Sequence, residues 1–171
     1  MKGYIQIYTG NGKGKTTAAF GLALRAVGAE KKVFIAQFVK GQRYSEIDAF
    51  EKYLPMITIK QYGLKCFIKT KPTDEDIYEA RKGLKEIKNL IAESDYDVFI
   101  LDEVNIALFY NLFTVDELIE ILKNKKENSE IIITGRYAPQ ELINLADLVT
   151  EMKEIKHYYN KGIMARKGIE F

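Results

Sequence analysis

Tryptophan is absent from this chain of 171 residues, and cysteine occurs once, at Cys66. A lone cysteine forms neither an intrachain disulfide nor a cysteine-cluster zinc site. That usage fits a reducing cytoplasm. Proline is scarce, at 3 residues. No apolar run approaches the roughly 18 residues of a membrane span. Charge of one sign is not in excess either: 26 basic against 24 acidic side chains leave a formal +2. That balance gives no footing to a general nucleic-acid binder or a polybasic membrane protein. Met1-Lys2-Gly3-Tyr4 runs straight into a β-favouring segment, so no signal peptide is expected ahead of the fold.

What is present is ordinary for a globular protein. With 47% hydrophobic and 29% charged residues, disorder, collagen and coiled coil are poor readings. The length suits one domain, 1–171, able to hide roughly two thirds of its unfolded surface.

Strand and helix patterns alternate. Gly3 to Tyr8 reads as a strand ending at a glycine cluster, and Thr17 to Ala29 as a helix. Val33 to Phe38 is apolar almost throughout, as a strand covered on both faces should be. Ile57 to Ile59 reads as a third short strand. Thr73 to Ser94 reads as a long helix capped by Thr73, with Asp74, Glu75 and Asp76 where the helix dipole favours them. Val98 to Leu101 is a buried strand. Thr114 to Lys126 is a helix with Thr114 and Glu117 spaced as a capping box, and Lys123 to Lys126 is its solvated end. Ile131 to Thr134, Pro139 to Ala146 and Leu148 to Thr150 read as strand, helix and strand. The alternation predicts βαβ units with right-handed crossovers: an α/β fold of three layers, a mostly parallel sheet flanked by helices. Lys40 to Tyr53, Gly63 to Pro72 and the tail after His157 are the loosest stretches.

Thr9-Gly10-Asn11-Gly12-Lys13-Gly14-Lys15-Thr16-Thr17 lies between a predicted strand and a predicted helix, the setting of a phosphate-binding loop. Glycines let backbone N–H groups converge on an anion, and the helix start adds unsatisfied N–H groups. Lys15 offers a mobile charge to phosphate oxygens. The Thr16 hydroxyl can complete a Mg²⁺ shell otherwise made of phosphate and water. The usual spacing puts a glycine five residues before the last glycine of the loop. Here that place is Thr9, and Gly10 stands only four before Gly14, so the loop is compact.

A second candidate site closes the strand Phe99-Ile100-Leu101 with Asp102-Glu103. Ligands of open parallel sheets bind outside the carboxyl ends of the strands. If this strand neighbours the first, one carboxylate can hold Mg²⁺ and the other can orient it or a water. The plain alternative is a helix cap for Val104 onward. A third, Ile133-Thr134-Gly135-Arg136, also ends a strand. Its arginine can pair with phosphate in a fork, or sit in a surface salt bridge.

Taken together, these segments resemble the corrinoid adenosyltransferases of the bacterial cobalamin-salvage type. The resemblance rests on Thr9 to Gly21, Arg25-Ala26-Val27-Gly28, Gln37-Phe38-Val39-Lys40-Gly41, Leu101-Asp102-Glu103 and Ile132 to Arg136. It continues through Leu145-Ala146-Asp147, Lys156-His157, Gly162, Ala165 and Gly168-Ile169-Glu170, in one order along nearly the whole chain. It implies a P-loop NTPase fold of the RecA-like kind. It implies a reaction in which ATP gives its 5′-deoxyadenosyl group to the Co(I) of a reduced corrinoid and releases triphosphate, in adenosylcobalamin synthesis or salvage. In this family the nucleotide lies reversed, with the loop on the terminal phosphate, which gives the compact spacing a rationale.

The resemblance also implies roles. Gly10, Asn11, Gly12, Lys13, Gly14, Lys15, Thr16 and Thr17 bind the nucleotide. Lys15, Glu103 and Asp102 serve catalysis, with Thr16 and Glu103 on Mg²⁺ or Mn²⁺. Arg25 touches ribose or base, and Arg136 is a phosphate-side or structural contact. A flavoprotein or other reductant and a homodimer are implied partners. Some members carry an extra N-terminal segment that helps cover the corrinoid; this chain is expected to do without it. Where members supply a Phe and a Trp that help displace the lower ligand of cobalt, this chain reads Gly63-Leu64-Lys65-Cys66-Phe67. Phe67 is the aromatic left for that task, and Leu64 stands in place of the other.

Phe38, Tyr44 and Tyr62 are further candidates to line a corrinoid face. Cys66 reads as a small buried hydrophobe rather than a cobalt ligand, and His157 as structural. Two other functions share the loop and the acidic strand end. A phosphotransferase or ATPase would yield ADP, and a regulatory module would bind MgATP without turnover.

Overall fold

The computed structural model describes residues 2–64, 68 and 71–171. Six strands form one sheet: β1 (Ile5–Thr9), β2 (Val33–Phe38), β3 (Ile57–Tyr62), β4 (Val98–Asp102), β5 (Glu130–Thr134) and β6 (Leu148–Glu151). Their order is β3-β2-β4-β5-β1-β6, and every neighbouring pair is parallel. The helices are α1 (Lys15–Val27), α2 (Ser45–Tyr53), α3 (Asp74–Glu93), α4 (Val104–Phe109), α5 (Val115–Lys123) and α6 (Gln140–Leu145). A 3-10 turn, Tyr158–Lys161, follows in the tail.

Both faces of the sheet are covered, which is why β2 is buried at every position. Val33 and Ile35 point to one core, with Ala19, Phe20 and Ala23 of α1 and Phe50 of α2. Phe34, Ala36 and Phe38 point to the other, with Leu84 and Ile87 of α3 and Leu118 and Ile121 of α5. Successive strand residues face opposite layers, so one apolar run feeds two cores. Each side chain of that size contributes about 1.5–3 kcal/mol when fully buried.

The sequence signals for helix starts hold. Thr73 and Thr114 both form reciprocal capping boxes, with Asp76 and Glu117 respectively. One helix lies where none was expected, and another, α4, where only the cap alternative placed one. α2 falls in the stretch read as loose, carried by Ile47 and Phe50 at a spacing of three, and its single apolar stripe is too short to stand out. α4 follows directly on the acidic pair. The basic run after α5 is not simply solvated: the Lys125 ammonium donates to the carbonyls of Gly3 at 2.8 Å and Ser129 at 3.1 Å. No helix among the described residues is long and apolar enough to cross a membrane.

Candidate active site

The carboxyl ends of β1, β2, β4 and β5 open on one side of the sheet. The loop after β1 turns at Gly10 with φ 95°, and a Cβ there would lie 2.5 Å from the carbonyl oxygen of Met152. Only glycine fits that approach. The segment after β6 thus walls the loop, and the Gly12 N–H donates to the same carbonyl at 2.7 Å. Lys15 is buried, and its Nζ folds back to donate to the carbonyls of Gly10 (2.8 Å) and Gly12 (2.7 Å). Burial lowers its pKa and the cations Arg136 and Lys40 add to this; Glu103 and Asp102 offset part of it. An ammonium held over the loop by weak carbonyl acceptors is ready to exchange them for phosphate oxygens.

β4 is not the neighbour of β1; β5 lies between them. The gap is closed by hydroxyls. Asp102 is wholly buried, and its Oδ1 accepts from Thr16 Oγ1 of α1 at 2.8 Å and from Thr134 Oγ1 of β5 at 2.7 Å. Its Oδ2 accepts from Gln37 Nε2 at 3.1 Å and from Lys40 Nζ at 2.8 Å. Burial works against the Asp102 charge, but the Lys40 ammonium and the hydroxyl donors outweigh it and hold the carboxyl below the usual carboxylate range. Burial likewise opposes the Lys40 charge, and Asp102 and Glu103 overcome it, so the Lys40 pKa is raised.

Glu103 behaves oppositely. Burial and the adjacent Asp102 charge push its carboxyl up, and Lys40, Lys15 and Arg136 reverse this only in part. It stands at the N-terminal boundary of α4 without a side-chain capping bond, so the cap alternative does not hold for its carboxylate. Its φ is 58°, a left-handed value that costs a non-glycine residue about 1–3 kcal/mol. The backbone is fixed there by its N–H, which donates to Thr134 Oγ1 at 3.0 Å. Val39, after β2, is left-handed too, at φ 57°. Both turns bring charged side chains to a cleft of about 290 Å³ lined by Val39, Lys40, Glu103, Ile106, Tyr110 and Arg136. Gly135 (φ 129°) sets the last of these: a Cβ would approach Asn105 Cβ to 2.8 Å, and Asn105 Nδ2 donates to its carbonyl at 3.1 Å.

The fold therefore gathers Gly10 to Thr17, Asp102, Glu103 and Arg136 at one end of the sheet. Arg25 is not with them. It lies ten residues beyond Lys15, about 15 Å along a helix whose N-terminus faces the loop. It lines a separate cleft of about 260 Å³ at the amino ends of the strands, with Lys2, Gln6, Asp97 and Glu130. Phe38 and Tyr62 are buried in the core, so neither lines a face open to a large ligand. Cys66 and Phe67 lie outside the described residues. His157 caps the 3-10 turn, its Nδ1 accepting from the Tyr159 N–H at 3.1 Å. Lys40, Gln37 and Thr134 carried no role in the sequence reading. The available signal was polar chemistry inside or just past apolar strands, where an unpaired group is costly.

Among the described residues no group of three or more His, Cys, Asp or Glu could by itself hold a metal ion. The oxygens of Thr16, Asp102 and Glu103 are nevertheless the hard donors that Mg²⁺ or Mn²⁺ takes alongside phosphate and water.

The chain is 34% identical to the corrinoid adenosyltransferase of Escherichia coli K12 over 171 residues, covering 99% of this chain and 86% of that protein. It is 34% identical to the corrinoid adenosyltransferase of Pseudomonas aeruginosa over 171 residues, covering 99% of this chain and 84% of that one. With the corrinoid adenosyltransferase of a Sinorhizobium species it shares 37% over 173 residues, covering 99% of this chain and 81% of the relative. A family model described as ATP:corrinoid adenosyltransferase BtuR/CobO/CobP matches residues 1–171. Whole-length similarity, a compact phosphate loop and an acidic pair at the end of β4 converge, and the chain belongs to the ATP:corrinoid adenosyltransferase family.

Proposed function

We propose that this chain transfers the 5′-deoxyadenosyl group of ATP to the Co(I) of a reduced corrinoid, in the synthesis or salvage of adenosylcobalamin. The cobalt electron pair forms the bond to C5′, the C5′–O bond breaks, and inorganic triphosphate leaves with both electrons. Co(I) is the nucleophile, so the protein needs none of its own. Its work is alignment and the stabilisation of charge growing on triphosphate. The observation that carries this reading is the loop in which Lys15 rests on two of the loop's own carbonyls, beside Thr16 and the acidic strand end.

In this reading Lys15 and the loop amides take the terminal phosphate, and Arg136 supports the phosphate side from the neighbouring cleft. Thr16 and Glu103 hold Mg²⁺ or Mn²⁺, with Asp102 beside them. When bound, that ion supplies positive charge to the leaving triphosphate. The raised pKa of Glu103 fits a carboxylate whose charge is stabilised by a cation brought with the nucleotide. A reductant that prepares Co(I), a flavoprotein being one candidate, a homodimeric state and a cytoplasmic location belong to the same reading.

Incubation with MgATP and chemically reduced cobalamin tests it. The expected products are a light-sensitive Co–C bond and intact triphosphate in equal amounts. ADP as the nucleotide product would make the chain a phosphotransferase or ATPase, and binding without turnover would make it a regulatory module. Lys15→Ala and Glu103→Ala are each expected to lower turnover roughly 10²–10³-fold with unchanged circular dichroism. Wild-type rates in either would remove the assigned role.

A further inference from the structure

The second lysine of the loop, Lys13, is held by a part of the chain that the chemistry above does not use. Its Nζ lies 2.6 Å from Glu170 Oε1, 3.0 Å from the carbonyl of Ile169 and 3.1 Å from the Tyr158 hydroxyl. An ammonium has three N–H donors, and these acceptors use all of them. All three belong to the tail. The tail carboxylate has partners besides Lys13. Glu170 Oε2 accepts from the Arg166 backbone N–H at 2.8 Å and from Arg166 Nε at 3.3 Å, and Oε1 also takes the Tyr158 hydroxyl. Past Glu170, the Ser45 hydroxyl of α2 donates to the Phe171 carbonyl at 3.2 Å. The tail so placed lines an open cleft of about 330 Å³ together with Thr16, Thr17 and Phe20.

We propose that Glu170 is a positioning residue that holds Lys13 off the phosphate path, and that a triphosphate bound in the loop takes Lys13 from it. This deepens the proposed function and rests on Gly10 to Thr16 being the phosphate cradle. Lys13 stands between Gly12 and Gly14, so it is anchored in the cradle itself. With every donor occupied, it must give up tail contacts before it can reach an anion. A triphosphate carries more charge than one carboxylate and is the stronger acceptor. The exchange costs the tail little, because Glu170 keeps Arg166 and Tyr158. The Lys13 side chain is 40% exposed, and Glu170, at 17%, keeps Arg166 as a partner, so the contact can open without leaving a buried ion unpaired. The loop and the tail thereby answer to the same ligand.

Calorimetry of the full chain with inorganic triphosphate and Mg²⁺ gives the test. Glu170→Gln should bind triphosphate roughly two- to fivefold more tightly than wild type, the range an exposed ion pair allows. A tail with a merely structural role would weaken binding when loosened, never strengthen it. Equal or weaker binding by Glu170→Gln, with wild type binding normally, overturns the latch and leaves the cradle standing. A wild type that binds neither triphosphate nor ATP overturns the cradle and the latch together. Hydrogen exchange over residues 158–171 supplies the second measurement. It should speed up when triphosphate binds to wild type and show no such response in Lys13→Gln. Slower exchange in wild type would mean that the tail closes on the ligand, which is the opposite of the proposal.

Discussion

Charge is handled in two ways around the phosphate loop. At the sheet centre, Asp102 has no exposed surface, and its four partners arrive from β2, β5, α1 and the turn after β2. At the sheet margin, β6 is exposed along its whole length, and the tail beyond it is tied to the loop through Lys13 and Glu170. The central cluster is costly to assemble and costlier to leave half-made, since burial penalises any charge without a partner. The marginal one stays in touch with water, where opposite charges contribute little and separate easily. A site that must hold a nucleotide and release it can use both: fixed geometry where charge has to be placed, and a loose tie where chain has to move.

The largest effect should come from halving the central pair. Asp102→Asn leaves the Lys40 ammonium, only 13% exposed, without its ion-pair partner. We expect a loss of about 3–5 kcal/mol in urea unfolding, read as a lower midpoint at an unchanged slope. A loss under about 1 kcal/mol would place this pair in the same class as a surface ion pair and erase the contrast. Thr134→Val is the next test. It keeps the shape of β5 but removes the donor to Asp102 Oδ1 and the acceptor of the Glu103 N–H. About 1–3 kcal/mol is expected, with faster hydrogen exchange at the Glu103 amide. If that amide keeps its protection, Thr134 does not hold the left-handed turn.

The centre was also the more legible region. Apolar runs ending in a glycine cluster or in Asp-Glu name β1 and β4, and the Thr73 cap and the Thr114 box name the starts of α3 and α5. What no local pattern carries is strand order. The sequence reading made metal binding at Asp102-Glu103 depend on β1 and β4 being neighbours. The chain inserts β5 instead and spans the gap with the Thr134 and Thr16 hydroxyls, a contact between residues far apart in sequence. Gln37 was visible as a polar residue in an apolar strand, but its partner was not. Arg25 is the converse case. Ten residues separate it from Lys15, yet the rigid rise of α1 carries it to the other end of the sheet. The Glu170 tie to Lys13 joins residues 157 apart, and no spacing rule reaches that far.

The smallest effect, and the sharpest on the margin, is a titration. Hydrogen bonds from Lys13 first, then from Tyr158 and Arg166, hold the Glu170 carboxyl well below the usual carboxylate range. A carboxyl whose folded pKa is depressed stabilises the folded contact at every pH above its unfolded value, about 4.3 for glutamate. That contribution is lost as the pH falls through the folded value. Lys13 is shifted upward by the same bond, so its contribution is full below the ordinary lysine value of about 10.4 and is lost as the pH rises from there through the folded value. Between those limits the tie should be indifferent to pH. Carbon-13 NMR of the Glu170 carboxyl checks this: no inflection from pH 5 to 9 in wild type, and a midpoint moved toward about 4.3 in Lys13→Gln. The return should be incomplete, because Tyr158 and Arg166 still donate. An identical titration in both proteins would mean that the tail holds this charge by itself and that the loop is not its anchor.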